Sequence, residues 1–207
     1  MKVIASFERE KALIDNGKTW IVGIDEVGRG PIAGPVVAAA VVLDPQAVPA
    51  GLGDSKAMTA RMRQALFGQI LASAHVGIAS VPAEEIDRIN IRQATLAAMV
   101  RAFAALPLPQ HVSLPDAIAL VDGNDPPPLP CPVETIVGGD ALIASIAAAS
   151  IVAKVTRDRI MHRLAATYPD YGFATHVGYP TPAHKRALAE TGPCPFHRFS
   201  FAPLKVR

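Results

Sequence analysis

Residues 20–43 read WIVGIDEVGRGPIAGPVVAAAVVL, two apolar runs separated by a turn rich in glycine and proline. The first run ends in the adjacent acids Asp25 and Glu26. The second, residues 36–43, contains only Val, Ala and Leu between two flanking prolines. Short apolar runs rich in β-branched residues and bounded by turn residues are typical of buried strands. The segment therefore predicts two core strands, with two carboxylates where the first strand gives way to the turn.

Outward from this segment, the chain alternates between helical and strand patterns. Helices are predicted over residues 7–15, 59–71, 91–106, 140–164 and 182–190, and strands over 20–25, 36–43, 75–80, 117–121 and 133–137. The proline run at residues 126–130 must be a loop, because proline cannot continue a helix or a central strand. The interleaved pattern, with three early strands able to pair as a meander, predicts one α/β layer fold with a mixed sheet.

The composition is that of a globular protein. Of the 207 residues, 50% are hydrophobic and 18% are charged, which excludes a disordered chain. The apolar runs are too short to span a bilayer, and charged residues interrupt the N-terminal segment. The two cysteines have no metal-ligand spacing. We expect one domain over residues 1–207, in a soluble, untargeted cytoplasmic protein that is a monomer.

Charge is distributed unevenly along the chain. Residues 151–207 hold nine Lys or Arg and three Asp or Glu, so 9 − 3 gives +6, and the whole-chain charge of +2 leaves −4 for the remainder. A basic C-terminal part packed on an acidic remainder fits a protein that holds a polyanion near carboxylates. Charge alone favours the other interpretation, in which the basic residues are ordinary solvated helix faces.

Four acids occupy positions where predicted strands meet turns or helices. Asp25 and Glu26 end the first strand, Asp122 ends another, and Asp140 follows two glycines at the start of a helix. Ligands of α/β sheets bind beyond strand ends, so these carboxylates are candidates for one site. Their mutual repulsion calls for a cation, and hard oxygen ligands suit Mg²⁺ or Mn²⁺ rather than zinc. Two such ions can clamp the attacking and leaving oxygens of a phosphodiester.

Each acid also has a structural interpretation. The sequence Asp122-Gly123-Asn124 is an ordinary turn signal. Asp140 is suited to capping a helix N-terminus. Asp25 and Glu26 are harder to explain structurally, but neighbouring strand residues point to opposite faces. Both therefore reach one site only if the strand bends or ends at Asp25.

Motifs along almost the whole chain, residues 20–205, resemble ribonuclease HII, the type 2 ribonuclease H family. The first is GIDEVGRGP at residues 23–31. In family order follow DSK (54–56), ID (86–87), NI (90–91), DGN (122–124), GD (139–140), AAASI (147–151), AKV (153–155), RD (157–158), YGF (171–173), His176, GYPT (178–181), HR (197–198) and SF (200–201). Each piece is weak alone, but their joint occurrence in order is specific.

The resemblance implies a ribonuclease H-like fold, a mixed five-stranded sheet flanked by helices. It also implies that the four acids bind Mn²⁺ or Mg²⁺. The expected enzyme is a metal-dependent endonuclease that hydrolyses the RNA strand of RNA–DNA hybrids and cuts 5′ of single ribonucleotides in duplex DNA. A two-metal mechanism would give 5′-phosphate and 3′-hydroxyl ends. Removal of misincorporated ribonucleotides or replication primers is the implied role.

The resemblance also assigns substrate contacts. Gly28, Arg29 and Gly30 are expected to sense the 2′-hydroxyl, the group that distinguishes RNA from DNA. Tyr179 is expected to pack on the sugar that follows the ribonucleotide, although it is also a plausible structural aromatic in a turn. Expected phosphate contacts are Lys56, Lys154 and Arg157.

The chain departs from the family pattern at two positions. Val177 and Ala57 stand where many bacterial members have lysine, which bears on tightness of binding and not on chemistry.

Three other functions remain open. The sister family ribonuclease HIII usually has a lysine in the glycine loop, where this chain has Arg29. A catalytically silent hybrid-binding module would be expected to lack one of the four acids. A metal-dependent phosphatase acting on small phosphoesters would be distinguished by activity on nucleotides instead of duplexes.

Overall fold

The two strands of the opening segment form an antiparallel pair inside a five-stranded sheet. A computed structural model describes residues 4–107 and 114–205. Its strands are β1 (Trp20–Val27), β2 (Val36–Leu43), β3 (Ala74–Val81), β4 (Ala117–Asp122) and β5 (Val133–Ile136). The order is β3-β2-β1-β4-β5, antiparallel among the first three strands and parallel from β1 to β5. The predicted meander and mixed sheet are confirmed.

Helices cover both faces of this sheet. They are α1 (Glu8–Asp15), α2 (Ala60–Ser73), α3 (Ala83–Ala104), α4 (Gly139–Leu142), α5 (Ala144–Thr167), α6 (Phe173–His176) and α7 (Pro182–Thr191), with short 3₁₀ turns at Leu114–Asp116 and Pro169–Tyr171. Among the helices of the described residues, none combines the length and apolarity needed to cross a membrane.

Strand β2 explains why the opening segment has a continuous apolar run. All eight of its residues are buried. Val37, Ala39 and Val41 belong to the core on the α5 side, and Val36 and Ala38 to the core on the α3 side. Because both faces of the strand are covered, alternation with polar residues is absent.

Helix α5 packs very closely across the central strands. Its first half is rich in buried alanine, and Gly23 of β1 lies beneath it. A Cβ at Gly23 would stand 2.1 Å from the carbonyl carbon of Ser145. Small side chains on both partners therefore set the depth at which α5 sits on the sheet. Since the expected basic part begins at residue 151, inside α5, it shares a helix with the rest of the fold.

Two predicted helices differ from the structure in their extent or continuity. The helix predicted over residues 91–106 is the second half of α3, which is kinked at Asn90 (φ 65°). The Asn90 side chain accepts a hydrogen bond from Gln93 N at 3.1 Å and caps the second half. The helix predicted from Asp140 is broken at Ile143, which is extended because it pairs with Ser6.

Candidate active site

The parallel pair β1 and β4 brings three acids to one edge of the sheet. Ile24 pairs with Val121, so Asp25, Glu26 and Asp122 follow at the same carboxyl edge. Asp140 joins them because the chain after β5 turns back. Gly139 N donates to Asp122 Oδ1 at 2.7 Å. We refer to these four residues as the edge acids.

Asp25 is held on the α5 side of this edge. Its side chain is 5% exposed, and its Oδ1 accepts a hydrogen bond from Glu26 N at 2.7 Å. Burial raises the pKa of Asp25 well above its ordinary value, and the negative charges of Glu26 and Asp122 raise it further. A hydrogen bond with Ser150 on α5 partly opposes this shift. The charged form of Asp25 is therefore destabilised here, first by burial and then by repulsion from the neighbouring acids.

Glu26 lies on the opposite, α3 side of the sheet. It lines a small cleft that also contains Met99 of α3 and Asp122. Burial raises the pKa of Glu26, while the charge of Arg29, whose Nη1 is 3.7 Å from Glu26 Oε1, lowers it. Strand β1 continues through both acids to Val27. The strand therefore does not end at Asp25, and Asp122 on the neighbouring strand interacts electrostatically with both carboxylates.

Lys56 supplies positive charge to the same edge. Burial lowers the pKa of Lys56, but the charges of acids, led by Asp140 and Asp25, outweigh burial and leave it raised. In return Lys56 lowers the pKa of Asp140, which burial and the charge of Asp122 raise overall. Lys56, which was predicted to contact a phosphate, therefore lies close enough to the carboxylates to interact with them electrostatically.

The edge acids fit a divalent cation by donor type and by charge. Carboxylate oxygens are suitable ligands for Mg²⁺ or Mn²⁺, and a cation would relieve the repulsion that raises several of their pKa values. Within residues 4–107 and 114–205, however, no three Asp, Glu, His or Cys side chains are already arranged around one point as metal ligands. Ion binding would therefore require these side chains to converge further.

The loop at residues 28–35, which we call the glycine loop, begins directly after Glu26 and Val27. Gly28 has φ 99°, and a Cβ there would stand 2.3 Å from Arg157 Nε. A Cβ at Gly30 would be 3.6 Å from the ring of Tyr179. The side chain of Arg29 is half-exposed. The loop predicted to sense the 2′-hydroxyl therefore neighbours Tyr179 on one side, and its Arg29 lies near Glu26.

Tyr179 presents an exposed ring on a firmly held backbone. The residue is 44% exposed. Its backbone nitrogen donates to His176 O at 2.9 Å, and its carbonyl accepts from Thr181 N at 2.8 Å. His184 Nδ1 also lies 2.8 Å from that carbonyl. An exposed aromatic ring on a fixed turn is suited to stacking against a ligand.

Two predicted phosphate contacts are placed differently. Arg157 is fully buried, and its guanidinium donates to three backbone carbonyls. The expectation that it touches a phosphate is therefore corrected, because no part of the side chain reaches the surface. Lys154 is mostly buried and forms an ion pair with Asp158 at 2.8 Å.

Three buried histidines, His176, His184 and His197, form a polar cluster next to the Tyr179 backbone that was not predicted from the sequence. His176 and His184 stack with ring centroids 4.3 Å apart, and His184 Nε2 lies 3.1 Å from His197 Nε2. Burial lowers the pKa of His184, and it lowers that of His197 to about 4. Both are therefore neutral near pH 7. Their recurrence near the aromatic motifs was visible in the sequence, but only the fold brings them together.

Comparisons with known proteins agree with this arrangement. The family model described as ribonuclease HII matches residues 22–204. A ribonuclease HII of Azorhizobium caulinodans is 55% identical over 202 residues, covering 98% of this chain and 76% of the relative. One of Xanthobacter autotrophicus is 57% identical over 199 residues, covering 96% and 78%.

A solved structure confirms the expected ribonuclease H-like fold. The crystal structure of ribonuclease H2 from Pyrococcus horikoshii has a TM-score of 0.73 and 28% identity, covering 89% of this chain and 94% of that one. Because the family model matches most of the chain, and relatives above 50% identity cover nearly all of it, the chain belongs to the ribonuclease HII family.

Proposed function

We propose that this protein is an endonuclease that hydrolyses the RNA strand of RNA–DNA hybrids and cuts 5′ of single ribonucleotides in duplex DNA. The observation that carries the proposal is the position of the glycine loop, in which Arg29 lies 3.7 Å from Glu26 and Gly30 lies next to the ring of Tyr179. The arrangement supports a reaction in which a ribose is recognised next to the phosphodiester that is hydrolysed. Membership of the ribonuclease HII family supports the same activity.

The edge acids are the groups proposed to hold two ions, Mn²⁺ or Mg²⁺. When bound, these ions would lower the pKa of an attacking water and stabilise charge on the leaving 3′-oxygen, giving 5′-phosphate and 3′-hydroxyl ends. The protein holds Asp25 and Asp122 in place through hydrogen bonds from backbone N–H groups. Burial keeps water away from Asp25, which strengthens its attraction for a cation.

Recognition of the substrate is assigned to groups around the acids. Backbone and side-chain donors of Gly28, Arg29 and Gly30 are proposed to bind the 2′-hydroxyl, and Tyr179 is proposed to pack on the following sugar. Lys56 is proposed to contact a phosphate, because its exposed side chain brings positive charge close enough to Asp140 and Asp25 to interact with them. Lys154 remains a secondary proposal, which requires it to leave Asp158. Phosphate contacts of this kind position a duplex without reading its sequence.

The proposed enzyme is a monomer with one catalytic domain over residues 1–207, acting in the cytoplasm. Hydrogen bonds from Arg157 and Arg198 to the glycine loop support a single domain, since they join the basic C-terminal part to the first half of the chain. Its proposed role is the removal of ribonucleotides from DNA.

The test uses a labelled DNA duplex with one ribonucleotide, incubated with protein and Mn²⁺ or Mg²⁺. Asp25→Asn and an EDTA sample are run in parallel, with Asp15→Asn as a matched control because Asp15 is an exposed acid at the end of α1. Cutting directly 5′ of the ribonucleotide, retained only by the wild type and Asp15→Asn, is expected. Folded protein that binds the duplex without cutting would indicate a silent binding module. Hydrolysis of nucleotides alone would indicate a phosphatase.

A further inference from the structure

Two buried arginines hold the glycine loop from behind. Arg157 and Arg198 are each 0% exposed. Arg198 donates to Gly28 O at 2.6 Å and Arg29 O at 3.1 Å, and its Nε donates to Gly34 O at 3.0 Å. The Arg198 guanidinium is therefore hydrogen-bonded to both ends of the glycine loop. The carbonyls of Gly28 and Arg29 point inward to Arg198.

Arg157 joins the glycine loop to the turn that carries Tyr179. Its Nε donates to Pro35 O at 2.8 Å and one terminal nitrogen to Ala33 O at 3.1 Å. The other terminal nitrogen donates to Val177 O at 2.9 Å, two residues before Tyr179. A direct bond from Ile32 N to Gly178 O at 2.9 Å reinforces the same connection. The two segments are thereby fixed relative to each other.

Val177 marks the point at which this connection is strained. It has φ 44° and ψ 37°, a left-handed conformation that is costly for a β-branched residue. The bond from Arg157 to its carbonyl and the bond from Val177 N to Phe173 O at 3.0 Å hold it there. Strained backbone persists only where its surroundings over-determine it, and such positions cluster at ligand-binding sites.

Burying two like charges beside each other is expensive. Burial lowers the pKa of Arg157 to about 10 and that of Arg198 to about 9, with the charge of Arg157 contributing to the latter shift. Both remain charged near neutral pH and are compensated by six carbonyl oxygens. Apolar residues often stabilise an interior as well as buried charges do. The gain from the arginines lies instead in fixing the directions of several carbonyls at once, which a planar guanidinium does well.

We propose that Arg157 and Arg198 are positioning residues for ribonucleotide recognition, with Arg157 locking the glycine loop and the Tyr179 turn into one rigid unit. This rests on the proposed function, in which the loop senses the 2′-hydroxyl and Tyr179 the next sugar. When a single ribonucleotide is followed by deoxyribose, the glycine loop must meet the one 2′-hydroxyl at the same time as Tyr179 meets the next sugar. Cleavage of a uniform RNA strand depends less on the relative position of the two segments, because every sugar carries a 2′-hydroxyl.

The test replaces each arginine by lysine, which keeps the charge but has a single donor nitrogen in place of the three with which each guanidinium reaches separate carbonyls. For Arg157→Lys, kcat/KM on a single-ribonucleotide duplex should fall at least about tenfold more than on a uniform RNA–DNA hybrid, because misplacement by about 1 Å can cost a hundredfold in rate. Ile70→Ala serves as the control, since Ile70 is fully buried in α2 and belongs to the core on the α5 side. It should lower the melting temperature without changing the ratio of the two substrates.

Hydrogen exchange gives a readout that needs no activity. In Arg157→Lys, backbone amides in residues 28–34 and 177–181 should both exchange faster, whereas Arg198→Lys should affect the first segment more. The proposed coupling would be overturned if exchange in Arg157→Lys became faster in only one of the two segments. It would also be overturned if Ile70→Ala accelerated exchange in both segments as much as Arg157→Lys does. If the wild type cuts neither substrate, the proposed function and the recognition role fail together. The exchange result still decides whether Arg157 couples the segments.

Discussion

The side chains of Asp25 and Glu26 leave strand β1 on opposite faces of the sheet. Asp25 interacts with Ser150 of α5, whereas Glu26 lines the cleft beside Met99 of α3. Asp122, at the end of the neighbouring parallel strand, interacts electrostatically with both. Electrostatic interaction with Asp122 therefore links the two adjacent acids, although their side chains lie on opposite faces of the sheet.

Replacing Asp25 by Asn should abolish cutting and stabilise the metal-free protein. Because the pKa of Asp25 is raised above 3.8 in the folded state, folding favours its protonated form. Its contribution to stability is therefore full below that value and is lost as pH rises towards the raised pKa. Asn removes this loss, and a gain of about 0.5–2 kcal/mol near pH 7 is expected, as for other stabilising substitutions. Urea unfolding in EDTA at pH 4 and pH 7 measures it.

Added Mn²⁺ should reverse the order of the two proteins. The wild type should gain stability with metal concentration because the ion binds the folded state, and Asp25→Asn should gain much less. Asp15→Asn, the exposed control, should behave as the wild type. A wild type whose unfolding midpoint does not respond to Mn²⁺ would contradict the assignment of Asp25 as a ligand.

The sheet was predictable because its core strands are sharply bounded in the sequence. Strand β2 has the predicted limits of residues 36–43, since prolines flank a run that is buried on both faces. The first half of α3 was not predicted. The kink that separates it from the second half depends on one residue, Asn90, which has a positive φ. The break at Ile143 was missed because it results from pairing with Ser6, which is distant in sequence.

The candidate site was only partly predictable for a similar reason. The edge acids stand out because carboxylates at strand ends rarely serve the core. Basic residues carry no such signal: Arg157 and Lys154 lie three residues apart on one helix, yet Arg157 is fully buried and Lys154 is not. Burial of an arginine against carbonyls depends on loops that the fold brings together, which single-sequence patterns do not specify.

Glu10 should tolerate Gln but not Ala. It is 1% exposed, and its Oε1 accepts a hydrogen bond from Ser145 N at 2.7 Å near the start of α5. Burial raises its pKa above 4.5, against the effect of that bond, so its charged form costs stability as pH rises above 4.5. Gln keeps an acceptor without charge and should match or exceed the wild type at pH 7. Ala leaves the buried N–H of Ser145 without an acceptor. It should lower the free energy of unfolding by about 1–3 kcal/mol, measured by urea unfolding.

Two glycine-to-alanine changes should have opposite effects. Gly23→Ala drives a methyl group into the backbone of α5 at Ser145 and should cost about 3 kcal/mol or more, at the upper end for overpacking. Gly68→Ala, in α2 with nothing within 4 Å of the new methyl, should gain about 0.5–1 kcal/mol from helix propensity. Thermal unfolding compares them. A small loss in Gly23→Ala would mean that α5 shifts easily on the sheet.

Restoring a lysine at Val177 should tighten duplex binding without changing the chemistry. Val177 directly precedes Gly178 and Tyr179, so a cation there would stand near the ring that is proposed to pack on the substrate sugar. One added phosphate contact should steepen the slope of log K against log salt by about one unit. An unbranched side chain is also less strained than Val at φ 44°. Ile14→Lys adds the same charge on α1, which packs near the opposite end of β1, and should leave the slope almost unchanged. Equal slopes for the two variants would show that position 177 does not face the duplex, and that the chain has not lost a contact there.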